Sequence, residues 1–487
     1  MDLSLVSEAT AQNGEGVVDG GLPGEPTLRR ALGPLALTSI GVSSVVGAGI
    51  FVLSGVTAAQ NTGPAITLSY AIAAVGVLIV ALCYSELAAM MPVAGSSYTY
   101  VRESLGVFPA WVIGWAMLLE YLVTASTVAV GWSGNLVGML THMGIDLPPS
   151  LIQAPFSVSE ALEGGVTGAY GNLPAALATL GLTALLSIGV KETARFNNFL
   201  VLCKVSVIIA VVAVGVFYVN PEMWHPFIPE NNGQWGHFGW SGVLRGAGLA
   251  VWTYTGFETI STCAQETKNP KRDLAIGMVA TMAVCTVLYL AVSLVMTGLV
   301  SYKDLNVSDP ILVALDRLGP EWHWLLLAVS VGTMIGVSGT LLFTLYPQIR
   351  VFYIMAVDKQ MPKSFAKVHP KFRTPFVATW FTGIVCSIVA FLTPLDILSE
   401  LVSMGTMLAF SSVCASVIIF RRQQPDRERP FRVPFSPVVP AVGVVFCLGL
   451  MLNMARRSWL FLAGWLAIGA AVYLFSLWWK KREQAAG

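Results

Sequence analysis

Three ionisable side chains stand deep inside long apolar segments, where a charge is expensive and usually functional. They are Glu120, Lys204 and Glu258. A lysine amine removed from water exchanges its proton readily near neutral pH, so Lys204 is a candidate proton carrier. The two carboxylates are candidates for balancing a positive substrate or for moving a proton. The alternatives are that Lys204 reaches an interface by snorkelling and that each glutamate makes a structural hydrogen bond.

Two of the apolar segments are interrupted by glycines. Residues 41–51 read GVSSVVGAGIF, and residues 246–258 read GAGLAVWTYTGFE. Glycine is a poor helix former, and a backbone freed from helical bonding at membrane depth is tolerated only where it lines a cavity within the protein. The alternative is close packing of small residues between unbroken helices.

The composition explains why these residues have to be positioned by membrane-spanning helices. The chain has 487 residues, of which 11% are charged and 55% hydrophobic, and its mean hydropathy is +0.70. Soluble domains carry about 25% charged residues, so this composition excludes a set of soluble domains as well as a disordered chain. The net charge of +1 gives no reason to expect nucleic-acid binding.

Continuous apolar runs predict twelve transmembrane helices, because a span needs roughly 20 apolar residues and the runs do not alternate as barrel strands do. The predicted spans are 35–59, 64–91, 107–139, 174–190, 196–219, 241–265, 275–300, 322–356, 376–393, 396–419, 435–454 and 457–480. The seven cysteines lie inside these spans and are expected to be packing residues. Glu86, at the end of the second span, and Glu266 are expected to have structural roles.

Basic residues predict the orientation, since cytoplasmic connections are enriched in Lys and Arg. One side of the predicted topology carries 22 of them and the other side carries four. We therefore expect a multi-pass protein of the cell (inner or plasma) membrane with both termini in the cytoplasm. Residues 1–33 are expected to be a flexible cytoplasmic tail, without a signal peptide, and residues 481–487 a cytoplasmic C-terminal tail.

The two interrupted segments are spans 1 and 6, which are the first spans of two five-helix halves. Paired interruptions of this kind indicate an inverted-repeat transporter. The first repeat is predicted over residues 34–219 and the second over 241–419, with two further helices in 435–480. Broken helices present N–H groups to an anion and carbonyl oxygens to a cation, which together suit a zwitterionic amino acid.

The motifs resemble the amino acid–polyamine–organocation superfamily, and within it the cationic amino acid transporter family and its bacterial homologues. The resemblance covers about residues 28–480. It is carried by GAGIFV at 47–52, PVAGSSYTY at 92–100, GFE at 256–258, ETKNPKRD at 266–273, RVFY at 350–353 and RPFRVP at 429–434. It implies an all-α membrane protein of the LeuT-type fold, with 12 transmembrane helices, a 5+5 inverted repeat and discontinuous helices 1 and 6.

The resemblance also implies roles for individual residues. The substrate carboxylate would lie at the first break, near Gly47 and the N–H groups of Ala48, Gly49 and Ile50, and the α-ammonium would face carbonyl oxygens of Val45, Trp252, Thr253 and Thr255. Trp252 would be an aromatic gate, Glu120 an acidic position of the cationic-transporter branch, and Lys204 the proton-coupling residue. Its amine is expected to bond carbonyls near residues 41–44 and a hydroxyl of span 8 such as Ser338.

Two residues depart from the family pattern. Ala48 stands where a hydroxyl residue is common, and Trp252 stands where Phe is common. Both affect substrate identity more than mechanism, since Ala48 offers no side-chain hydrogen bond and Trp252 narrows the pocket.

The resulting hypothesis is a proton-coupled importer of cationic amino acids such as Arg, Lys or ornithine. It uses the proton gradient and no cofactor or metal, and its partners are the amino-acid substrate and the lipid bilayer, with a small accessory membrane subunit left open. The alternatives are a proton symporter for small neutral amino acids such as alanine, an amino-acid exchanger and a non-transporting sensor. A membrane enzyme is disfavoured, since no HExxH, no paired intramembrane aspartates and no Ser/His pair occurs within a span.

Overall fold

The structure is a computed structural model, and it describes residues 32–47, 49–92, 96–142, 144–155, 169–188, 193–264, 267–307, 310–358, 360–370, 372, 374–393, 395–454 and 456–486. These residues form an all-helical protein. Extended backbone pairs only between Leu32 and Thr267 within the described residues. Ala48, Glu266 and residues 1–31 lie outside the described residues.

The α-helices follow one another along the chain, with short 3-10 and π-helical turns between some of them. They are α1 (Pro34–Val45), α2 (Ser54–Thr57), α3 (Ile66–Met90), α4 (Ser96–Leu105), α5 (Val107–His142), α6 (Leu173–Ile188), α7 (Thr193–Gly215), α8 (Gly239–Thr253), α9 (Thr259–Thr262), α10 (Pro270–Leu299), α11 (Pro310–Asp316), α12 (His323–Val357), α13 (Phe376–Leu392), α14 (Leu395–Gln423), α15 (Val438–Leu452) and α16 (Arg456–Ala486).

Each predicted span coincides with at least one of these helices. This is expected because an apolar segment in a membrane has to satisfy its own backbone hydrogen bonds. Six helical segments of the described chain are long and apolar enough to cross a membrane, and five shorter apolar helices accompany them. The total of twelve spans and the inverted repeat therefore remain predictions. Helix α16 runs to Ala486, so it extends into the predicted C-terminal tail.

The first predicted interruption is a real break in the helix. Helix α1 ends at Val45 because Val46 has extended backbone, with φ −76° and ψ 100°. The chain resumes as a π-helical turn over Gly49–Leu53, which leads into α2. A Cβ atom on Gly49 would lie 2.8 Å from Cβ of Thr253, so a glycine lets the two interrupted segments touch at this point.

The second interruption follows α8, which ends at Thr253. The chain then turns and resumes with the short helix α9. Gly256 lies in the turn with φ +119°, a conformation that favours glycine. A Cβ atom there would lie 2.8 Å from the carbonyl carbon of Ser44, so the backbones of the two breaks are in direct contact.

Longer helices surround the two breaks. Helix α10 packs against α1 and α3, and α12 packs against α1, α5 and α7. Helix α14 packs against α5, and α8 packs against α3. The breaks therefore lie inside the helix assembly, where helices far apart in sequence can reach them.

Glu86 has the structural surroundings expected of it. Its carboxylate accepts hydrogen bonds from Arg421 Nε at 3.0 Å and Nη2 at 2.6 Å, and from the backbone N–H of Val433 at 2.6 Å. Arg429 Nε lies 3.5 Å from the same carboxylate. This cluster ties the end of α3 to the end of α14 and to the segment that follows it. All seven cysteines are free thiols; Cys203 is partly exposed and the other six are buried.

Candidate functional site

Lys204 connects three helices at the end of α1. Its Nζ donates to the carbonyl oxygens of Ser43 at 2.6 Å and Val46 at 2.8 Å, and to Thr340 Oγ1 of α12 at 3.1 Å. The side chain of Lys204 on α7 is fully buried, so it does not snorkel to an interface. An ammonium group has three donors, and all three are satisfied here.

The hydroxyl partner of Lys204 differs from the one expected. Thr340 Oγ1 accepts from the amine and can donate to the Val46 carbonyl oxygen, 2.9 Å away. Ser338 Oγ instead accepts from Trp132 Nε1 at 2.8 Å and donates to the Met334 carbonyl at 2.8 Å. The expectation of Ser338 was wrong because the two residues lie on different faces of α12.

Two of the four carbonyls proposed to hold a substrate ammonium, those of Val45 and Thr253, meet at one tyrosine. Tyr289 Oη of α10 lies 2.9 Å from the carbonyl oxygen of Val45 and 2.9 Å from that of Thr253. Its single hydroxyl proton can be donated to either carbonyl, so Tyr289 joins the ends of α1 and α8. The Trp252 carbonyl accepts from the backbone N–H of Thr255 at 2.9 Å and also from that of Tyr254.

The predicted carboxylate donors lie in the turn after α1. The N–H of Ile50 donates to the Gly47 carbonyl at 3.2 Å, so in this conformation it is already used within the turn. Gly49 begins the π-helical turn and lies against Thr253. Ala48 lies outside the described residues.

Trp252 lies in the last turn of α8. It is buried, and its Nε1 lies 3.4 Å from Thr124 Oγ1 of α5. Beside it is a cavity of only about 20 Å³, lined by Ser44, Tyr121, Thr124, Thr255, Gly256, Glu258, Thr259, Phe343, Thr344 and Pro347. Such a volume accommodates about one water molecule.

The two buried carboxylates have different surroundings. Glu258 Oε2 accepts from the backbone N–H of Gly256 at 2.8 Å, whereas its Oε1 is buried without a hydrogen-bond partner in the described structure. Glu120 Oε1 accepts from Thr406 Oγ1 of α14 at 2.8 Å. Glu258 therefore lies at the second break, whereas Lys204 bonds the end of α1 at the first.

Comparison with known proteins identifies the family. Residues 32–476 match the model of the amino acid permease family. The chain belongs to this family. The permease is therefore a multi-pass membrane transport protein of the amino acid–polyamine–organocation superfamily, and it is not an enzyme.

Individual relatives of the permease carry different substrate names. It is 40% identical over 447 residues to a methylthioribose transporter of Bacillus subtilis, covering 92% of this chain and 93% of the relative. It is 40% identical over 453 residues to a branched-chain amino acid permease of the same organism, with the same coverage. A vacuolar cationic amino acid transporter of Arabidopsis thaliana is 33% identical over 404 residues, which cover 83% of this chain and 65% of that protein.

Sequence reasoning missed several residues that position the site of this permease. Tyr289, Thr340 and Thr406 each bond a group that sequence reasoning had singled out, but each lies on a helix far from it in the chain. The sequence gives little reason to single out these three residues, because Tyr and Thr are uncharged and occur commonly in apolar helices. Their roles depend on which face of a helix meets the break.

Proposed function

We propose that this permease imports amino acids together with protons by alternating access, with cationic amino acids such as Arg, Lys or ornithine as its substrates. In this proposal twelve helices cross the inner or plasma membrane, both termini are cytoplasmic, and residues 34–219 and 241–419 form LeuT-type inverted repeats. Residues 435–480 add two helices. The driving force is the proton gradient, and no cofactor takes part.

The observation that carries proton coupling is the contact of Lys204 with the end of α1. A charged amine donates three hydrogen bonds, whereas a neutral amine has only two N–H groups. Loss of the proton therefore removes at least one charge-assisted hydrogen bond, and each is worth about 1.5–3 kcal/mol. Because the acceptors belong to Ser43 and Val46 at the first break, the protonation state of Lys204 biases the position of α1.

The substrate is proposed to bind between the two breaks when Trp252 swings away. Its α-ammonium would compete with the hydroxyl of Tyr289 for the carbonyls of Val45 and Thr253, which converge from the two breaks. Its carboxylate would take backbone N–H groups of the turn around Gly49. Closure of Trp252 over the bound molecule would complete the occluded state.

Charge at the site supports a cationic substrate. Glu120 and Glu258 are both buried, and neither takes part in an ion pair with Lys or Arg in the described chain. A buried carboxylate needs a counter-charge or a proton, and a cationic side chain would supply the former.

A second candidate function is proton symport of neutral amino acids. It is favoured by the 40% identity to a protein named a branched-chain amino acid permease, which exceeds the 33% identity to the cationic transporter. In that case Glu120 and Glu258 would carry protons rather than face substrate charge. Both candidates use the same breaks and the same Lys204.

Uptake into liposomes that contain the purified protein tests the proposal. Labelled Arg, Lys, Ala and Leu are offered with and without an inward proton gradient. We expect accumulation of Arg and Lys that disappears when the gradient is collapsed. Accumulation of Ala or Leu alone would replace the first candidate by the second. Uptake that is unchanged by the gradient and requires amino acid on the opposite side would establish an exchanger and refute proton coupling.

A further inference from the structure

The RPFRVP motif at residues 429–434 lies between α14 and α15 and takes no part in the proposed transport steps. Its Val433 is buried. The N–H of Val433 donates to the Glu86 carboxylate at 2.6 Å, and its carbonyl oxygen accepts from Arg421 Nη2 at 3.0 Å. Arg429 is buried as well, and it donates to two backbone carbonyls in and just after the last turn of α14, at 3.2 and 2.6 Å. The backbone of the motif is therefore fixed at the end of α14.

The side chains beside this fixed backbone combine a cation with exposed apolar groups. Arg432 is exposed immediately before Val433, and Phe435 follows with 84% of its surface exposed. Val438, the first residue of α15, is 63% exposed. Large apolar side chains gain by leaving water, and at the end of a membrane-spanning helix the acyl chains of lipids cover them. An arginine beside such a surface keeps its guanidinium at the level of the headgroups.

The start of α10 adds a second set of cations next to the motif. Lys271 Nζ lies 3.1 Å from Glu428 Oε1, which brings the first turn of α10 beside the motif. Lys268 and Arg272 are exposed on either side of Lys271. Ile276, four residues after Arg272 and so on the same face of the helix, is 40% exposed. Exposed cations followed by apolar surface therefore occur on both elements.

The charges exposed on these two stretches are mainly positive. Within residues 267–276 and 421–438, the exposed ionisable side chains outside the Lys271–Glu428 pair are Lys268, Arg272, Arg422, Arg432 and Asp426. Four cations thus accompany one carboxylate. Basic residues at a membrane surface attract anionic lipids, whereas a zwitterionic headgroup carries no net charge. The excess of positive charge therefore favours an anionic lipid at this surface.

We propose that residues 268–276 and 429–438 form a docking surface for an anionic phospholipid such as phosphatidylglycerol. The guanidinium of Arg432 binds the phosphate of the headgroup, and Phe435 and Val438 contact the acyl chains. Such a lipid binds whichever amino acid the permease carries. Since Tyr289 of α10 joins the two breaks, the lipid contacts a helix that positions the transport site.

Competition between two phospholipids with the same acyl chains tests the surface. The purified full chain in detergent micelles is offered dioleoyl phosphatidylglycerol and dioleoyl phosphatidylcholine in equal amounts, and native mass spectrometry counts the lipids retained. We expect phosphatidylglycerol to be retained at least about fivefold more than phosphatidylcholine, which is the factor that one basic residue near a membrane surface provides.

Variants of the surface locate this preference. Arg432→Gln should lower it about fivefold, and Arg432→Lys should keep it, because both cationic side chains attract the phosphate. Phe435→Ser should reduce the retention of both lipids by similar factors, since it removes a contact with acyl chains and no charge. Arg317→Gln is the matched control, because Arg317 is also an exposed arginine and lies 3.7 Å from Asp304, outside the surface. This variant should keep the full preference.

Three results would overturn the docking surface. Equal retention of the two lipids by the unmodified protein removes the role of the headgroup charge. An equal loss of preference in Arg317→Gln and Arg432→Gln assigns the effect to the net charge of the protein. Displacement of phosphatidylglycerol by the same concentration of glycerol phosphate, which has no acyl chains, assigns the cations to a soluble anion. Elution of each variant as the unmodified protein does in size-exclusion chromatography reports that it is folded.

Discussion

Replacing Lys204 by methionine removes the charge and the donors while keeping an unbranched side chain of similar length. In the present structure three bonds are lost: those to the carbonyls of Ser43 and Val46 and to the hydroxyl of Thr340. The Thr340 hydroxyl can still donate to the carbonyl oxygen of Val46, 2.9 Å away. The variant therefore separates the proton-dependent contact from the rest of the site.

The magnitude follows from these contacts and from the energy of the gradient. A hydrogen bond from a charged donor contributes about 1.5–3 kcal/mol, so the loss of one such bond when Lys204 releases its proton already exceeds the ~1.4 kcal/mol that one proton provides across one pH unit. A single coupling amine carries one proton per cycle, which supports about tenfold accumulation of substrate per pH unit. Without the amine, no contact at α1 depends on this proton. The substrate concentrations inside and outside the liposomes should therefore become equal.

Accumulation in liposomes measures this difference directly. The pH outside is set one unit below the pH inside, the membrane potential is held at zero with potassium and valinomycin, and the final ratio of labelled substrate is determined. We expect about tenfold accumulation for the unmodified protein and no accumulation for Lys204→Met. Substrate binding to the variant, measured separately, should remain detectable.

Two variants of α12 serve as controls for the position of the amine. Thr340→Val removes one acceptor of Lys204 and should lower the accumulation ratio without abolishing binding. Ser338→Ala removes a hydroxyl that is bonded to Trp132 instead, and it should leave the ratio unchanged. Accumulation of about tenfold in Lys204→Met, with the same pH dependence as the unmodified protein, would refute the assignment of Lys204 as the coupling residue.

Three further predictions concern the breaks and the acidic groups. Gly256→Ala should reduce transport at least tenfold, because φ is +119° and the new Cβ would lie 2.8 Å from the backbone of Ser44; uptake at the normal rate would show that the breaks need not touch. Tyr289→Phe should weaken the junction of the two breaks by about 0.5–1.5 kcal/mol, which changes the apparent substrate affinity up to about tenfold in a binding titration; an unchanged affinity would contradict the role of the hydroxyl. Glu120→Gln keeps a carbonyl acceptor for Thr406 and should reduce Arg uptake more than Ala uptake; equal losses would argue for a structural or proton-linked carboxylate.

The sequence predicted the features that depend on local composition. Long apolar runs predicted helices because a helix satisfies its own backbone, and the structure has a helix in every predicted span. The glycine-bearing segments 41–51 and 246–258 predicted breaks, and α1 and α8 end within them. Gly246 and Gly248 did not break the helix, since both lie inside α8. Buried positions for Glu120 and Lys204 also followed from the sequence, since each has mainly apolar neighbours on both sides along the chain. Glu258 is buried as well, although hydroxyl residues and a glycine flank it.

The partners of these groups could not be predicted in the same way. Lys204 meets Thr340, 136 residues away, and Glu120 meets Thr406, 286 residues away. Such pairs depend on the rotation of each helix about its axis and on its depth relative to its neighbours. Residues two apart on one helix, such as Ser338 and Thr340, point in different directions, and the apolar sequence around them does not distinguish their faces.

The amino-acid sequence by itself therefore determined the class of protein, the breaks in two helices and the few charged groups placed inside the membrane. Only the tertiary structure decided that Tyr289 joins the two breaks and that Lys204 bonds the end of α1. It also decided that Glu258 Oε1 is buried beside a small cavity without a hydrogen-bond partner among the described residues. The physical reason is the separation along the chain over which each interaction acts. Hydrophobicity and helix breaking act between neighbours in the chain, whereas hydrogen bonds at the site join helices that meet only when the whole assembly has packed.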